Sequence, residues 1–292
     1  MNTWSETLKL FGLLTVELTA LFLAVAFAVT LVNRKVGAER MQSWLAGGRL
    51  VAPLKGVVLG ALTPFCSCST LPMLLGMLKA GAPFAAAAAF LIASPLLNPI
   101  ILGIIAVLFG WKLMLGYAAT TFVSSVLVAV IWDRLGLRRH VRRVRLAAPA
   151  EEKPWAGLRA EAGPAWRDAL GSFKPVAIPM LVGVSVGALI YGFVPETFLT
   201  SIGGAAWAVP VAALVGIPLY IRVESALPIG MALIGAGVGV GPVFALIIGG
   251  SGASIPEISM LTAVFKPPLT AAFVGSVLAV AVTGGAVLPL FA

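Results

Sequence analysis

Apolar residues fill this chain in runs rather than stripes. The runs cover about 8–32, 51–65, 70–80, 83–94, 96–109, 111–132, 175–194, 209–221, 226–236, 241–250, 255–265 and 268–291. A membrane-crossing helix needs about 20 apolar residues, so several of these are too short to cross alone. The short runs are bounded by clusters of Pro, Gly, Ser and Cys, which predicts broken helices or re-entrant hairpins. Irregular backbone at membrane depth survives only when buried in protein or lining a wet cavity. The expected fold class is an all-α polytopic membrane protein.

The short runs recur. Ser69-Thr70-Leu71-Pro72 reads against Ser225-Ala226-Leu227-Pro228, 156 positions on. Lys79-Ala80-Gly81 reads against Gly235-Ala236-Gly237. Ser94-Pro95-Leu96-Leu97-Asn98-Pro99 reads against Ser251-Gly252-Ala253-Ser254-Ile255-Pro256, now 157 on. Phe109-Gly110-Trp111-Lys112 resembles Val264-Phe265-Lys266, each opening a last apolar run. Landmarks in one order at a nearly fixed offset point to two copies of one unit. The expected division is transmembrane repeat one over 1–133, a basic linker over 134–174 and transmembrane repeat two over 175–292.

Composition agrees with a membrane protein. The chain of 292 residues is 60% hydrophobic and 11% charged, against about 45–50% and about 25% in globular domains. Its formal net charge of +9 could suggest nucleic acid. Yet 10 of the 20 Lys and Arg lie between Arg134 and Lys174, and most others flank apolar runs. That is the charge bias of cytoplasmic loops, and it argues against a nucleic-acid partner. The first run is too long for a signal peptide and lacks a small-residue cleavage site, so it reads as a retained helix in a bacterial-type inner membrane.

Charge also orders the crossings. Arg34, Lys35, Arg40, Arg49 and Lys55 place the end of the first helix in the cytoplasm, and the basic linker does the same for the end of 111–132. The stretch between 51 and 109 must then cross an odd number of times. A re-entrant hairpin over 51–80 with a broken crossing helix over 83–109 satisfies this, although the two can exchange places. Each half then crosses three times, which inverts the second half relative to the first. Lys79 and Lys266 are expected inside and the Lys/Arg-free 195–209 loop outside, with Lys112 as the exception. Inverted repeats with discontinuous helices are an architecture of secondary transporters, whose sites lie where half-helix ends meet.

Candidate chemistry collects at the interruptions. Pro64 and Pro72 bracket Cys66-Ser67-Cys68-Ser69-Thr70, and each proline breaks helical hydrogen bonding. Cys66 and Cys68 offer two soft sulfurs on one face of an extended segment, able to bridge a thiophilic centre. An isolated Cys is more often a small buried hydrophobe. A closed zinc site wants about four ligands; no other Cys exists, and the one His, His140, lies in the basic loop. No metal and no cofactor are expected. At an offset of 156, Arg222 and Glu224 stand where the two thiols were. Charges at membrane depth cost roughly 2.5–3.5 kcal/mol each on insertion scales and are usually functional, though a structural ion pair at a hairpin tip is the plainer alternative. Asn98 supplies an amide at the second interruption of repeat one; Ser251, Ser254 and Glu257 occupy the matching place in repeat two. The expected substrate-binding set is Cys66, Ser67, Cys68, Ser69, Asn98, Arg222, Glu224 and Ser225. Glu224, Glu257 and Glu17 are the candidate proton carriers.

Thr-Pro-Phe-Cys-Ser-Cys-Ser-Thr at 63–70, Leu-Ile-Ala-Ser-Pro-Leu-Leu-Asn-Pro at 91–99 and Glu-Ser-Ala-Leu-Pro at 224–228 resemble the YraQ-like predicted permeases. That superfamily also contains an organoarsenical efflux permease. The resemblance covers about 1–133 and 170–292, and it implies an inner-membrane permease exporting trivalent arsenicals or another thiol-seeking solute.

The expectation is therefore a secondary permease, not an enzyme, moving a small thiophilic solute by alternating access, with efflux and proton coupling. Its partners would be a small-molecule or ion substrate and the lipid bilayer, with room for a homo-oligomer. A small sulfur-containing anion held by Arg222 is the alternative cargo. A membrane thiol–disulfide oxidoreductase using Cys66 and Cys68 is the alternative class. The sequence offers it no partner domain and no further Cys. No Gly-rich phosphate loop of the ATPase kind is present.

Overall fold

The computed structural model describes residues 38–63, 67–142, 157–191, 207–219, 223–235 and 237–291, with helical turns between 12 and 35. The elements are α1 (Ala38–Leu45), α2 (Val51–Leu62), α3 (Ser67–Lys79), α4 (Phe84–Ala93), α5 (Pro99–Phe109), α6 (Trp111–Arg134), α7 (Leu158–Tyr191), α8 (Ala208–Leu219), α9 (Val223–Gly235), α10 (Val240–Gly252), α11 (Ile255–Leu261) and α12 (Pro267–Val287). Short 3₁₀ turns, Leu137–His140 and Leu288–Phe291, follow α6 and α12. The chain is all-α as described; its one β pairing among the described residues is the bridge between Val141 and Phe265.

Helix α6 turns polar residues inward and an apolar ridge outward. On α6, Thr121 and Ser125 are buried while Trp111, Leu115, Val123, Leu127 and Ile131 are exposed. Ser125 Oγ satisfies itself by donating to the Thr121 carbonyl at 2.7 Å. A soluble helix would bury that apolar ridge; here it suits hydrocarbon. Three helices, Trp111–Arg134, Val240–Leu261 and Pro267–Phe291, are long and apolar enough to cross a membrane by length and composition. The core lies around α4 and α10. Every residue of α4 is buried, as are all those of α10 from Val243 to Gly252, which explains why their sequences lack a polar face.

Elements α8–α12 reproduce α2–α6. Their first residues recur 156 or 157 residues apart, and the details recur at 156. Helix α3 ends at Gly81 (φ +75) and α9 at Gly237 (φ +95). At each end the same pair of hydrogen bonds closes the turn: Gly81 N–H to Leu78 O (3.2 Å) and Ala82 N–H to Met77 O (3.0 Å), then Gly237 N–H to Ile234 O (3.0 Å) and Val238 N–H to Leu233 O (3.0 Å). This closure needs a left-handed residue, which is why glycine stands at both places. Pro72 and Pro228 lie inside α3 and α9 at matching positions.

The packing recurs as well. Helix α2 packs on α4 and α8 on α10; α4 packs on α6 and α10 on α12. A Cβ added to Gly60 would meet Phe90 O and Ser94 N; one added to Gly216 would meet Leu246 O and Gly250 N. All three positions are shifted by 156. Small residues let these backbones approach without a side chain between them.

Close contacts fix the directions. Gly56 lies against Ala86, and Gly60 against Phe90 and Ser94, so α2 and α4 run parallel. Helix α3 therefore returns to the end from which α2 set out. Phe84 stacks on Trp132 (centroids 6.5 Å apart), and Tyr117 meets Leu96. Helix α4 is thus antiparallel to α6, and α5 continues to the far end. Residues 51–80 form a hairpin and 83–109 an interrupted through-helix.

Contacts between the two sets are reciprocal. Helix α3 packs against α11 while α9 packs against α5, and α6 packs against its own counterpart α12. Val141 pairs with Phe265, Trp132 Nε1 donates to Ser276 Oγ at 3.0 Å, and Gly116 lies against Phe291. As one number rises the other falls, so α6 and α12 are antiparallel. The first apolar segment does the same against α7: Phe22 meets Phe173 and Phe27 meets Trp166 (centroids 5.5 and 5.9 Å). Helix α7 runs unbroken through residues 174 and 175, so the change from charged to apolar composition there falls within a helix.

Candidate functional site

Helix α2 ends at the extended Thr63, and among the described residues two further interruptions separate half-helices, at 94–98 and 253–254. The described contacts gather them. Gly60, one turn before the end of α2, is against Ser94, which opens the interruption after α4. Gly216, near the end of α8, is against Gly250. A Cβ on Gly252 would sit 3.6 Å from Leu96 Cδ2. Leu96 and Gly252 are counterparts at the 156 offset. The interruptions at 94–98 and 253–254 thus meet. The N-terminus of α5 lies there, and a helix N-terminus favours an anion or the negative end of a polarised solute.

Two caps hold these interruptions. Asn98, nearly fully buried, accepts from Ile100 N–H through Oδ1 at 2.9 Å, with Pro99 as the first helical residue. Ser254 Oγ accepts from Glu257 N–H at 3.4 Å, with Pro256 beside it. Both arrangements place a short polar cap before a proline that needs no partner for its nitrogen. The register here stays at 156, so Asn98 corresponds to Ser254 rather than to Ile255, and Ser94 corresponds to Gly250 rather than to Ser251. Ser251 Oγ donates to Ile247 O at 2.6 Å within its own helix. Ser94 Oγ is fully enclosed, with no hydrogen-bond partner among the described residues.

Glu257 is 2% exposed, in the first turn of α11. Its counterpart in the first set is Ile101, also buried in the core. One set therefore carries a carboxyl where the other carries a hydrocarbon.

The remaining expected residues divide by position. The backbone of Ser67, Cys68 and Ser69 forms the first turn of α3, and that of Glu224 and Ser225 the first turn of α9. These turns are counterparts at the 156 offset. Cys66, Arg222 and Glu17 lie outside the described residues. The structure thus brings together, at Leu96 and Gly252, the two interruptions that end in Asn98 and Ser254.

The sequence reading missed Tyr117. Its hydroxyl donates to the Leu96 carbonyl at 3.0 Å and is buried. Leu96 O is one of the carbonyls freed by the interruption, so Tyr117 supplies the hydrogen bond that the helix cannot. The available signal was a lone phenol inside an apolar run, in a chain with only three Tyr. Its counterpart Phe273 is equally buried but has no hydroxyl. Phe244 packs on Tyr117 and on Phe109 (centroids 6.0 and 5.2 Å), tying α10 of one set to α5 and α6 of the other.

Broken apolar helices meeting around a polar centre, inside a bundle with an apolar exterior, define a multi-pass membrane permease. The chain belongs to the family described as "Predicted permease" (ArsP_1), whose model matches residues 3–290. It is 26% identical to the UPF0718 protein YcgR of Bacillus subtilis over 174 residues, a match covering 58% of each chain. It is 26% identical to the UPF0718 protein YraQ of Escherichia coli, covering 77% of this chain and 65% of that one. A Streptococcus mutans protein called a putative two-component membrane permease complex subunit is 25% identical, with 81% of this chain and 79% of that one covered. No solved structure matches the chain.

Proposed function

We propose that this permease is a secondary transporter of a small thiophilic solute, of the trivalent-arsenical kind, which it expels by alternating access with proton coupling. The observation that carries the reading is the meeting of the interruptions of both helix sets at Leu96 and Gly252. In secondary transporters, half-helix ends converge on the solute near the midplane and the two repeats rock around it. Cys66, Ser67, Cys68 and Ser69 of the first hairpin, Arg222, Glu224 and Ser225 of the second, and Asn98 would contact the solute. Glu257, with Glu224 and Glu17, would carry the proton.

The antiparallel course of α6 and α12 supports an inverted pair of repeats, divided at the basic linker 134–174. The ends of α3 and α6 and the start of α12 carry Lys79, Arg134 and Lys266. Trp132 near Phe84 and Val141 beside Phe265 place these cations at one end. The positive-inside bias makes that end, and the linker, cytoplasmic in a bacterial-type inner membrane.

The test is uptake into everted membrane vesicles carrying wild type or Cys66→Ser/Cys68→Ser, with and without a pH gradient, against trivalent arsenicals, thiosulfate and sulfite. Wild type should accumulate the arsenical in a gradient-dependent way, and the double variant should not. Equal movement of thiosulfate or sulfite by both proteins would replace the thiophilic cargo by an anion held at Arg222.

A further inference from the structure

The short basic segment after α6 is not a free loop. It is stitched to the far end of the sequence. Arg142 N–H donates to Val264 O at 2.7 Å, Lys266 N–H donates to His140 O at 2.8 Å, and Arg142 Nε donates to Phe265 O at 3.2 Å. The 3₁₀ turn Leu137–His140 holds Arg138 and Arg139 just before this bridge, closed by Arg139 N–H to Gly136 O and Val141 N–H to Arg138 O. Lys266, over 120 residues away in sequence, is thereby fixed beside Arg142.

Arg138, Arg139, Arg142 and Lys266 are all exposed. Arg134 adds a fifth exposed cation at the end of α6. One carboxylate, that of Asp133, lies in the sequence from 112 to 150, and none lies from 258 to 292. Exposed apolar neighbours accompany the charges: Leu135 is 61% exposed, and Pro267 and Pro268 open α12. A patch of cations bordered by apolar groups, at the end of two membrane-length helices, lies at headgroup depth. Like charges held together by backbone bonds repel unless an anion sits among them.

We infer that the stitched turn 134–142 and the start of α12 form a headgroup site for an anionic phospholipid of the leaflet that the basic end faces. The inference rests on the membrane-embedded reading of the chain and is independent of the solute carried. Each cation near a charged bilayer surface is worth about 1 kcal/mol, or about fivefold in partition.

The experiment titrates the purified full chain in detergent with phosphatidylglycerol, phosphatidylcholine or glycerol phosphate, and counts bound lipid by native mass spectrometry. Wild type should prefer phosphatidylglycerol over phosphatidylcholine by about tenfold or more. Arg138→Gln/Arg139→Gln/Lys266→Gln, whose side chains make none of the stitching bonds, should lose the preference while eluting as wild type. Arg142→Lys keeps its charge but loses the Nε bond, and should retain the preference. An unchanged preference in the triple variant would overturn the site. So would loss in Arg142→Lys alone, or equal competition by glycerol phosphate, which would indicate a small-anion pocket instead. Everted-vesicle transport by the same proteins separates this site from the transport reading, since either can fail without the other.

Discussion

The two interruptions at 94–98 and 253–254 share a cap geometry but not a chemistry. Each follows a buried helix that lies against a glycine of a neighbouring helix, and each ends in a cap followed by a proline-bearing turn. The side chains then diverge. Tyr117 ties a freed carbonyl in the first set, where the second has Phe273; the second buries Glu257, where the first has Ile101. Backbone requirements common to both sets are met twice, in the same way. What is present once is the better guide to function. The first interruption is braced by a phenol, whereas the second brings an ionisable group into the core.

The largest effect expected from breaking this comparison is on folding. Gly216→Ala puts a Cβ against Leu246 O and within 2.8 Å of Gly250 N, whereas at Gly60 the nearest atom is Ser94 N at 3.0 Å. Backbone cannot yield as a side chain can, so Gly216→Ala should cost about 3 kcal/mol and Gly60→Ala about 1 kcal/mol. Thermal unfolding in detergent reads the order, and equal losses would refute the asymmetry.

Glu257→Ile copies the first set into the second. Because Ile101 packs at the equivalent place, the variant should remain folded, with an unchanged elution profile. Gradient-driven uptake into everted vesicles should nevertheless vanish. Undiminished uptake would remove Glu257 from the proton path.

A smaller change should follow Tyr117→Phe, which makes the first interruption like the second. Leaving Leu96 O without its buried donor should cost about 1–2 kcal/mol. Phe273→Tyr, lacking a described acceptor, should bring no matching gain. The smallest effects belong to the caps: Asn98→Ala at about 1 kcal/mol and Ser254→Ala at somewhat less, since its bond is longer at 3.4 Å than the 2.9 Å of Asn98. Comparison of melting temperatures decides the order.

Much of the fold was legible because Pro, Gly and charge punctuate apolar runs. The run read as 83–94 is α4, Phe84–Ala93, and 111–132 is α6, Trp111–Arg134. Parity of crossings asked for one hairpin and one broken through-helix but left their order open; the contacts of Gly56, Gly60, Phe84 and Trp132 put the hairpin first. The continuation of α7 from Leu158 through residue 175 into the apolar run was not legible. Its first turns are charged, and a helix does not have to stop where its surroundings change from polar to apolar. The one-residue slip in matching Ser94 to Ser251 came from trusting serine identity over backbone position. Long-range bonds such as Trp132 to Ser276, 144 residues apart, leave no local pattern. At the site, the polar character of the interruptions was readable. Which side chain satisfies which freed carbonyl was not, because that depends on helices distant in sequence.

The reciprocal contacts of α3 with α11 and of α9 with α5 also bear on how many polypeptides the bundle needs. A contact pattern that maps onto itself when the halves are exchanged is the kind that two identical subunits make with each other. On that view the peptide between Arg142 and Gly157 is a tether, and its covalent continuity is dispensable once both halves are inserted. Separate polypeptides ending at Arg142 and beginning at Gly157 should therefore find one another in the bilayer and restore the bundle. A single half expressed alone would bring only half of the central chemistry, however well it paired with itself.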